Sequence, residues 1–402
     1  MCKNDWKFTG MRIVPFLVVF FWISACRTQQ PVHSAQIPKS APISVGAAFT
    51  AGYIPLIQNS KVAIVANHTA MVEGQHLVDT LMSLNINVVK VFAPEHGFRG
   101  DLPPGEKFES YTDQKTGIPV VSLYGKHAMP TAEDLSDVET VIFDIQDVGA
   151  RFYTYLTTLY YVMQSCAKYN KELIVLDRPN PNGHYVDGPV LDLELSSMVG
   201  ALPIPIVHGC TLGEMAKMIK GENWGETKNL DLGVVICANW THTTSYSLPV
   251  SPSPNLSSDC AIALYPSLCW FEGTSVSVGR GTANPFTCYG YPKKENYNFT
   301  ATPVDVSGKS INPPHENVLC GFVDLRNECQ KFHQINLSYL LDAYSELGND
   351  MFNSPSFFDK LAGSQQLRQQ LKNGWSADQI RASWQKGLQD YLSLREKYLL
   401  YP

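Results

Sequence analysis

A chain of 402 residues, 44% hydrophobic and 17% charged, is long enough for two domains and can bury a sizeable core. That excludes both a disulfide-dependent miniature fold and a disordered chain. Thirty-one basic against 37 acidic residues give a net charge of −6, and no Lys/Arg run or basic helix stands out, so no nucleic-acid partner is expected.

Taken in chain order, the first segment is a targeting signal. Lys3, Lys7 and Arg12 precede an apolar stretch from Ile13 to Ala25, too short to span a bilayer comfortably and suited to the h-region of a signal peptide over residues 1–25. It ends in Ile23-Ser24-Ala25-Cys26, which resembles a bacterial lipobox, with Cys26 the lipidated first residue of the mature chain. A tether rich in Pro, Ser and Gln follows over residues 26–43. The expected product is an exported lipoprotein, periplasmic or at the cell surface, that touches the membrane only through its lipid. Cys2 and Cys26 aside, eight cysteines remain, with no CxxC pair and no histidine at zinc spacing, so no metal is expected. Cys320 and Cys329 are spaced to pair, whereas Cys166 and Cys237 lie in apolar stretches and read as buried thiols.

From residue 61 to 240 short apolar runs alternate with helix-like stretches. The runs are Val62–Ala66, Val88–Ala93, Pro119–Leu123, Thr140–Ile145, Leu173–Leu176, Ile204–Val207 and Leu232–Ile236, apolar on both faces as covered parallel strands are. His76–Leu84, Tyr155–Lys168 and Leu212–Ile219 are the clearest helices. The pattern predicts a Rossmann-like, doubly wound, mostly parallel α/β domain over 44–260. A smaller α+β domain follows over 261–402, with a strand at Leu319–Leu325 and a helix at Leu337–Leu347. The last helix opens with the capping box Ser376-Ala377-Asp378-Gln379 and docks through Ile380, Trp384, Leu388, Tyr391 and Leu392.

In such sheets ligands bind beyond the carboxyl ends of the strands. The second run delivers Glu95, His96 and Arg99 in a Pro/Gly-bounded loop, an unusual concentration of acid, imidazole and guanidinium. The fourth delivers Asp144, Gln146 and Asp147, then Gly149 opening a helix with Arg151 and Tyr153. Asp144 lies inside an apolar run and needs a buried partner, so a structural Asp–Arg pair competes with a catalytic role. The fifth displays Asp177 and Asn180 from a proline-stiffened loop, and the sixth ends in His208-Gly209, with Thr211 able to cap the helix that holds Glu214. Farther on stand Asn255, then Glu272 after Trp270 and Phe271, then Arg280. A Glu272–Arg280 salt bridge is the bland reading of that pair, whereas aromatics beside carboxylates suit sugar rings. No GxSxG elbow, HExxH, Walker loop or GxGxxG is present, and no cofactor is expected. The remaining chemistry, carboxylates with Arg, Asn, His and aromatics, suits hydrolysis of a sugar acetal.

The same residues carry a resemblance. PEHGFRG from Pro94, DIQDVGARFYTY from Asp144, DRPNPNG from Asp177, DGPVL from Asp187, HGCTLGE from His208, SPSPN from Ser251 and FEGTSVSVGRGT from Phe271 resemble, in order over the mature chain, the bacterial exo-β-N-acetylmuramidase family. The resemblance implies an active site in the cleft between the two domains. It also implies release of terminal N-acetylmuramic acid from the non-reducing ends of peptidoglycan fragments, with muropeptides and MurNAc-GlcNAc as the partners. Glu95 is then the general acid/base. The nucleophile is left between Glu272, Asp144, Asp147 and the substrate's own acetamido group. Arg99, Arg151 or Arg280 would read the lactyl carboxylate, and His96, Gln146, Tyr153, Asn180, His208 and Asn255 complete the binding set. Asp187 stands where many relatives have glutamate, and Ser275 where many have asparagine, which puts those ligand contacts in doubt. The rival readings are an amidase or esterase of cell-wall material and a non-catalytic peptidoglycan-binding lipoprotein.

The lipobox makes one direct prediction. Cys26→Ser should abolish acylation and release the protein from membranes. Membrane fractionation with mass spectrometry checks this, and an acylated, membrane-bound variant refutes it.

Overall fold

The computed structural model describes residues 41–100, 110–329 and 332–402. The leader and the lipobox at Cys26 lie outside them, as does most of the tether. Six of the seven expected runs are strands of one seven-stranded sheet. In chain order its elements are α1 (Thr50–Ile57), β1 (Val62–Ala66), a short hairpin of β2 (Met71–Val72) and β3 (Gln75–His76), α2 (Leu77–Ser83), β4 (Val88–Ala93), β5 (Tyr111–Thr112), β6 (Pro119–Ser122), β7 (Thr140–Asp144), α3 (Tyr155–Lys168), β8 (Glu172–Leu176), α4 (Leu212–Gly221) and β9 (Leu232–Val235). The sheet order is β5-β6-β4-β1-β7-β8-β9, parallel throughout except for β5, which runs antiparallel to β6.

The side-chain alternation of a strand explains why these runs have no polar face. Val62, Ile64 and Ala66 of β1 pack with Tyr53, Ile57, Leu77 and Leu81 on one side of the sheet. Ala63 and Val65 pack with Leu156, Leu159, Met163 and Met215 on the other. All five residues of β1 are buried. The helices begin where caps stand. His76 is the N-cap of α2, its ring accepting from the Val78 N–H, so the helix starts one residue later than the apolar pattern suggested. Thr211 and Glu214 form a full capping box on α4.

Two local expectations are corrected. Ile204–Val207 is not a sheet strand. Pro203 and Pro205 remove alternate backbone donors from that segment, and Val207 instead bridges Ala150 and Asp187 outside the sheet. The helix after Gly149 does not begin until Tyr155, so Arg151 and Tyr153 lie in the preceding loop.

The C-terminal part contains α5 (Asp259–Leu268), a three-stranded antiparallel sheet in the order β10 (Cys288–Tyr291), β12 (Cys320–Asp324), β11 (Phe299–Ala301), and then α6 (Ser338–Leu347), α7 (Pro355–Ala362), α8 (Gln366–Lys372) and α9 (Ala377–Arg395). Cys329 is disulfide-bonded to Cys260, not to Cys320. The Cys320 side chain belongs to a small apolar cluster with Cys288 and Phe322. Cys166 and Cys237 are buried thiols. Ser376 and Gln379 cap α9 as expected, and Ile380, Trp384, Leu388 and Tyr391 are buried, whereas Leu392 is 44% exposed. No helix among the described residues is long and apolar enough to cross a membrane.

Asp187 anchors α9. Its buried carboxylate accepts from the Trp384 indole at 3.1 Å and the Ile335 N–H at 2.7 Å, and it pairs with Arg381. Asp187→Ala strips the acceptor from all three donors, which costs about 3–5 kcal/mol by the usual effect of breaking a buried pair. Urea denaturation should show that loss, and a change below about 1 kcal/mol would remove the anchor role.

Candidate active site

A cavity of about 380 Å³ opens at the carboxyl ends of β4, β6 and β7. Glu95 and His96 follow β4, Tyr124 and Gly125 follow β6, and Phe152 to Tyr155 lead from β7 into α3. The facing wall comes from the C-terminal part, with Tyr265 on α5, Glu272 just beyond it, Arg280 and Phe286 on the next loop, and Phe357 and Leu361 on α7. Aromatic and aliphatic surface dominates the lining, and the charges are few and placed.

Glu95 is held from two sides. Thr154 Oγ1 donates to one carboxylate oxygen at 3.0 Å and the Tyr124 hydroxyl reaches the other at 3.4 Å. Burial, followed by the Glu95 charge, pushes the Tyr124 phenol up to about 12, so it stays a neutral donor. The Tyr155 phenol is raised by the same two causes, burial first, and donates to the Glu95 carbonyl. The turn that projects Glu95 is strained. His96 has φ +72°, left-handed backbone that a β-carbon disfavours, and such residues persist where the surrounding structure over-determines them, chiefly at functional sites.

Glu272 pairs with Arg280, as the bland reading of the sequence had it, and the guanidinium also stacks on Phe286 at 5.1 Å. Both residues nevertheless line the cavity. Tyr153 lines it too and donates to the Pro252 carbonyl at 2.7 Å.

The other sequence-derived residues do not line the cavity. Asp144 is fully buried at the end of β7 and makes a two-pronged pair with Arg178, at 2.5 and 2.9 Å. A buried Asp–Arg pair was anticipated there, and its arginine is the one after β8. Asp147 accepts from the Gly149 N–H at 2.6 Å and stands 3.7 Å from His208, itself fully buried. Gln146 donates to the Asp147 and Pro179 carbonyls, Asn180 to Cys210 and Asn255 to Lys309. Arg99 is bound to Asp113 and Asp79. Arg151 donates to three backbone carbonyls. Ser275 hydrogen-bonds the Asp350 carbonyl, so, like Asp187, this departure from the relatives falls on an internal anchor. Among the described residues no group of three His, Cys, Asp or Glu side chains is arranged to hold a metal ion.

The N-terminal model of the exo-β-N-acetylmuramidase NamZ matches residues 62–259 and the C-terminal model matches residues 263–401. The chain belongs to the NamZ family. It is 39% identical over 336 residues to the peptidoglycan β-N-acetylmuramidase NamZ of Bacillus subtilis, covering 79% of this chain and 80% of that one. Two solved DUF1343 family proteins of Bacteroides fragilis share the fold. One has TM-score 0.83 at 46% identity and the other 0.76 at 26%, each covering 90% of this chain and 99% of its own.

Sequence reasoning missed Tyr124, Phe152, Thr154, Tyr155, Tyr265 and Phe286. Tyr124 directly follows an expected strand, so the strand-end rule applied there would have found it. Phe152, Thr154 and Tyr155 sit in a quoted motif, but their role depends on where the chain turns.

Arg99 yields a pH test. Its hydrogen bonds, working against burial, pull the Asp113 carboxyl down from 3.8 to about 2. A depressed carboxyl stabilises the fold above its unfolded pKa, and that contribution fades as pH falls from about 4 to about 2. Arg99→Gln should cost about 1.5–3 kcal/mol at neutral pH. Urea titrations across pH should show the gap from wild type closing in that acid window, and a pH-independent gap would contradict the pairing.

Proposed function

We propose that this protein is an exo-acting glycoside hydrolase that removes terminal N-acetylmuramic acid from the non-reducing ends of peptidoglycan fragments, with Glu95 as general acid/base. The carrying observation is the Glu95 carboxyl at the mouth of a strand-end cavity, oriented by the Thr154 and Tyr124 hydroxyls within aromatic surface. Two oriented neutral donors fix where the proton is delivered, which is what transfer to a glycosidic oxygen requires. Aromatic rings offer faces to the apolar side of a pyranose, and family membership supplies the substrate class.

Glu272 is the second carboxyl of the reaction in this reading, because it shares the cavity while Asp144 and Asp147 are engaged beneath it. The substrate's acetamido group is the alternative nucleophile. Of the three arginines weighed as readers of the lactyl carboxylate, Arg280 lines the cavity, and a substrate carboxylate can take the place of Glu272 on it. The leader supports an exported, lipid-anchored enzyme that meets muropeptides outside the cytoplasm.

Glu95→Gln keeps shape and hydrogen bonding but removes the titrating proton, so kcat should fall by about 10²–10⁴-fold while fragments still bind. Steady-state release of the free sugar from MurNAc-GlcNAc, with binding followed by calorimetry, checks this. Near-normal turnover would remove Glu95 from the mechanism. Release of peptide or acyl groups, with no free reducing sugar from the wild type, would replace the glycosidase reading.

A further inference from the structure

Arg151 is 1% exposed and has no carboxylate partner among the described residues. Burial alone pushes its guanidinium down to about 9. A buried cation without a counter-anion is expensive to hold and needs a compensating role. Its Nη donors go to backbone, while the buried Nε is left without a hydrogen bond among the described residues. Nη1 reaches the Pro189 carbonyl at 2.9 Å and the Ile204 carbonyl at 3.1 Å, and Nη2 reaches the Leu361 carbonyl at 2.8 Å. Lysine, with one nitrogen, cannot reproduce a planar fork that spans carbonyls on separate segments.

Both segments carry cavity wall. Between Pro189 and Ile204 the chain makes a tight turn closed by paired Ser197 and Gly200 backbone bonds at 2.8 and 3.0 Å, and the tip of that turn, Met198-Val199, lines the cavity. Leu361 lines it from α7, one helical turn after Phe357. The guanidinium occupies a slot that glycine makes on both sides. A β-carbon on Gly200 would lie 3.2 Å from Nε, and one on Gly363 would lie 2.4 Å from Nη2. The Asp192 N–H adds a fourth stitch, to the Gly363 carbonyl at 2.9 Å.

We infer that Arg151 is a positioning residue that clamps the Met198-Val199 turn to the end of α7 and so closes the end of the cavity, restricting the site to an unextended terminal sugar. This deepens the glycosidase reading and rests on it. The closed end is what makes the enzyme cut from chain ends. A pocket of about 380 Å³ accommodates one substituted amino sugar, and a further residue attached to O4 of that sugar meets the clamped wall.

The test compares two chromogenic glycosides of N-acetylmuramic acid, one with O4 free and one with O4 carrying N-acetylglucosamine, on the full chain. The readout is the ratio of their kcat/KM values. Wild type should strongly favour the free sugar. Arg151→Met should lower that ratio by about tenfold or more, chiefly through KM. Arg151→Lys should recover only part of it. Gly200→Ala crowds the guanidinium without removing charge and should lower the ratio by about threefold, so it decides the matter if Arg151→Met does not fold. An unchanged ratio in the folded variants, even with a reduced Tm, would overturn the inference and leave Arg151 as a stability residue alone. A wild type inactive on the unblocked glycoside would instead overturn the glycosidase reading beneath it.

Discussion

A parallel sheet with helices on both faces has no wet face, and this constraint organises the whole molecule. β1 and its neighbour β7 are buried along their full length, and β8 beyond β7 is buried in all but its first residue. Polar chemistry can therefore emerge only where the strands stop. The carboxyl ends of β4, β6 and β7 lead into a space that the C-terminal part then covers. Most of these groups lose water on folding and must find partners inside the protein.

That demand separates the strand-end residues into two tiers. The deeper tier is tied into the protein. Asp144 takes Arg178, Gln146 bridges carbonyls, Asn180 ties the loop after β8 to Cys210, and Asp177 accepts from Thr211, Gly213 and Tyr401. These groups act as the floor of the site. The upper tier, Glu95 with Thr154 and Tyr124, and Glu272 with Arg280, keeps its carboxylates on the cavity wall. The floor fixes the loops from which the upper tier projects, and the strained backbone at His96 persists because so much around it is already determined.

The two parts of the chain are welded by polar contacts as well as by apolar ones. The apolar core runs from Phe143 of the sheet through Trp270 to Phe358 and Trp384. Asp187 and Arg151 then fix α9 and α7 against loops of the first part. Closure of the cavity is thus a property of the weld, and residues with no cavity surface of their own shape it.

The sequence by itself determined the architecture and the location of the chemistry. Apolar runs flanked by Gly and Pro mark covered strands, capping residues mark helix starts, and the dense polar motifs mark strand ends. All of these are local patterns that elementary sterics and burial read directly. Only the tertiary structure decided which polar residues look into the cavity. Asp144 and Glu95 follow similar strands, and both are acids at a strand end. Asp144 meets Arg178, which lies 34 residues away, while Glu95 meets the Thr154 and Tyr124 hydroxyls on the cavity wall. Likewise Cys329 meets Cys260 and not its sequence neighbour Cys320. Partnership among buried groups is set by distance in space, and spacing along the chain carries no record of it.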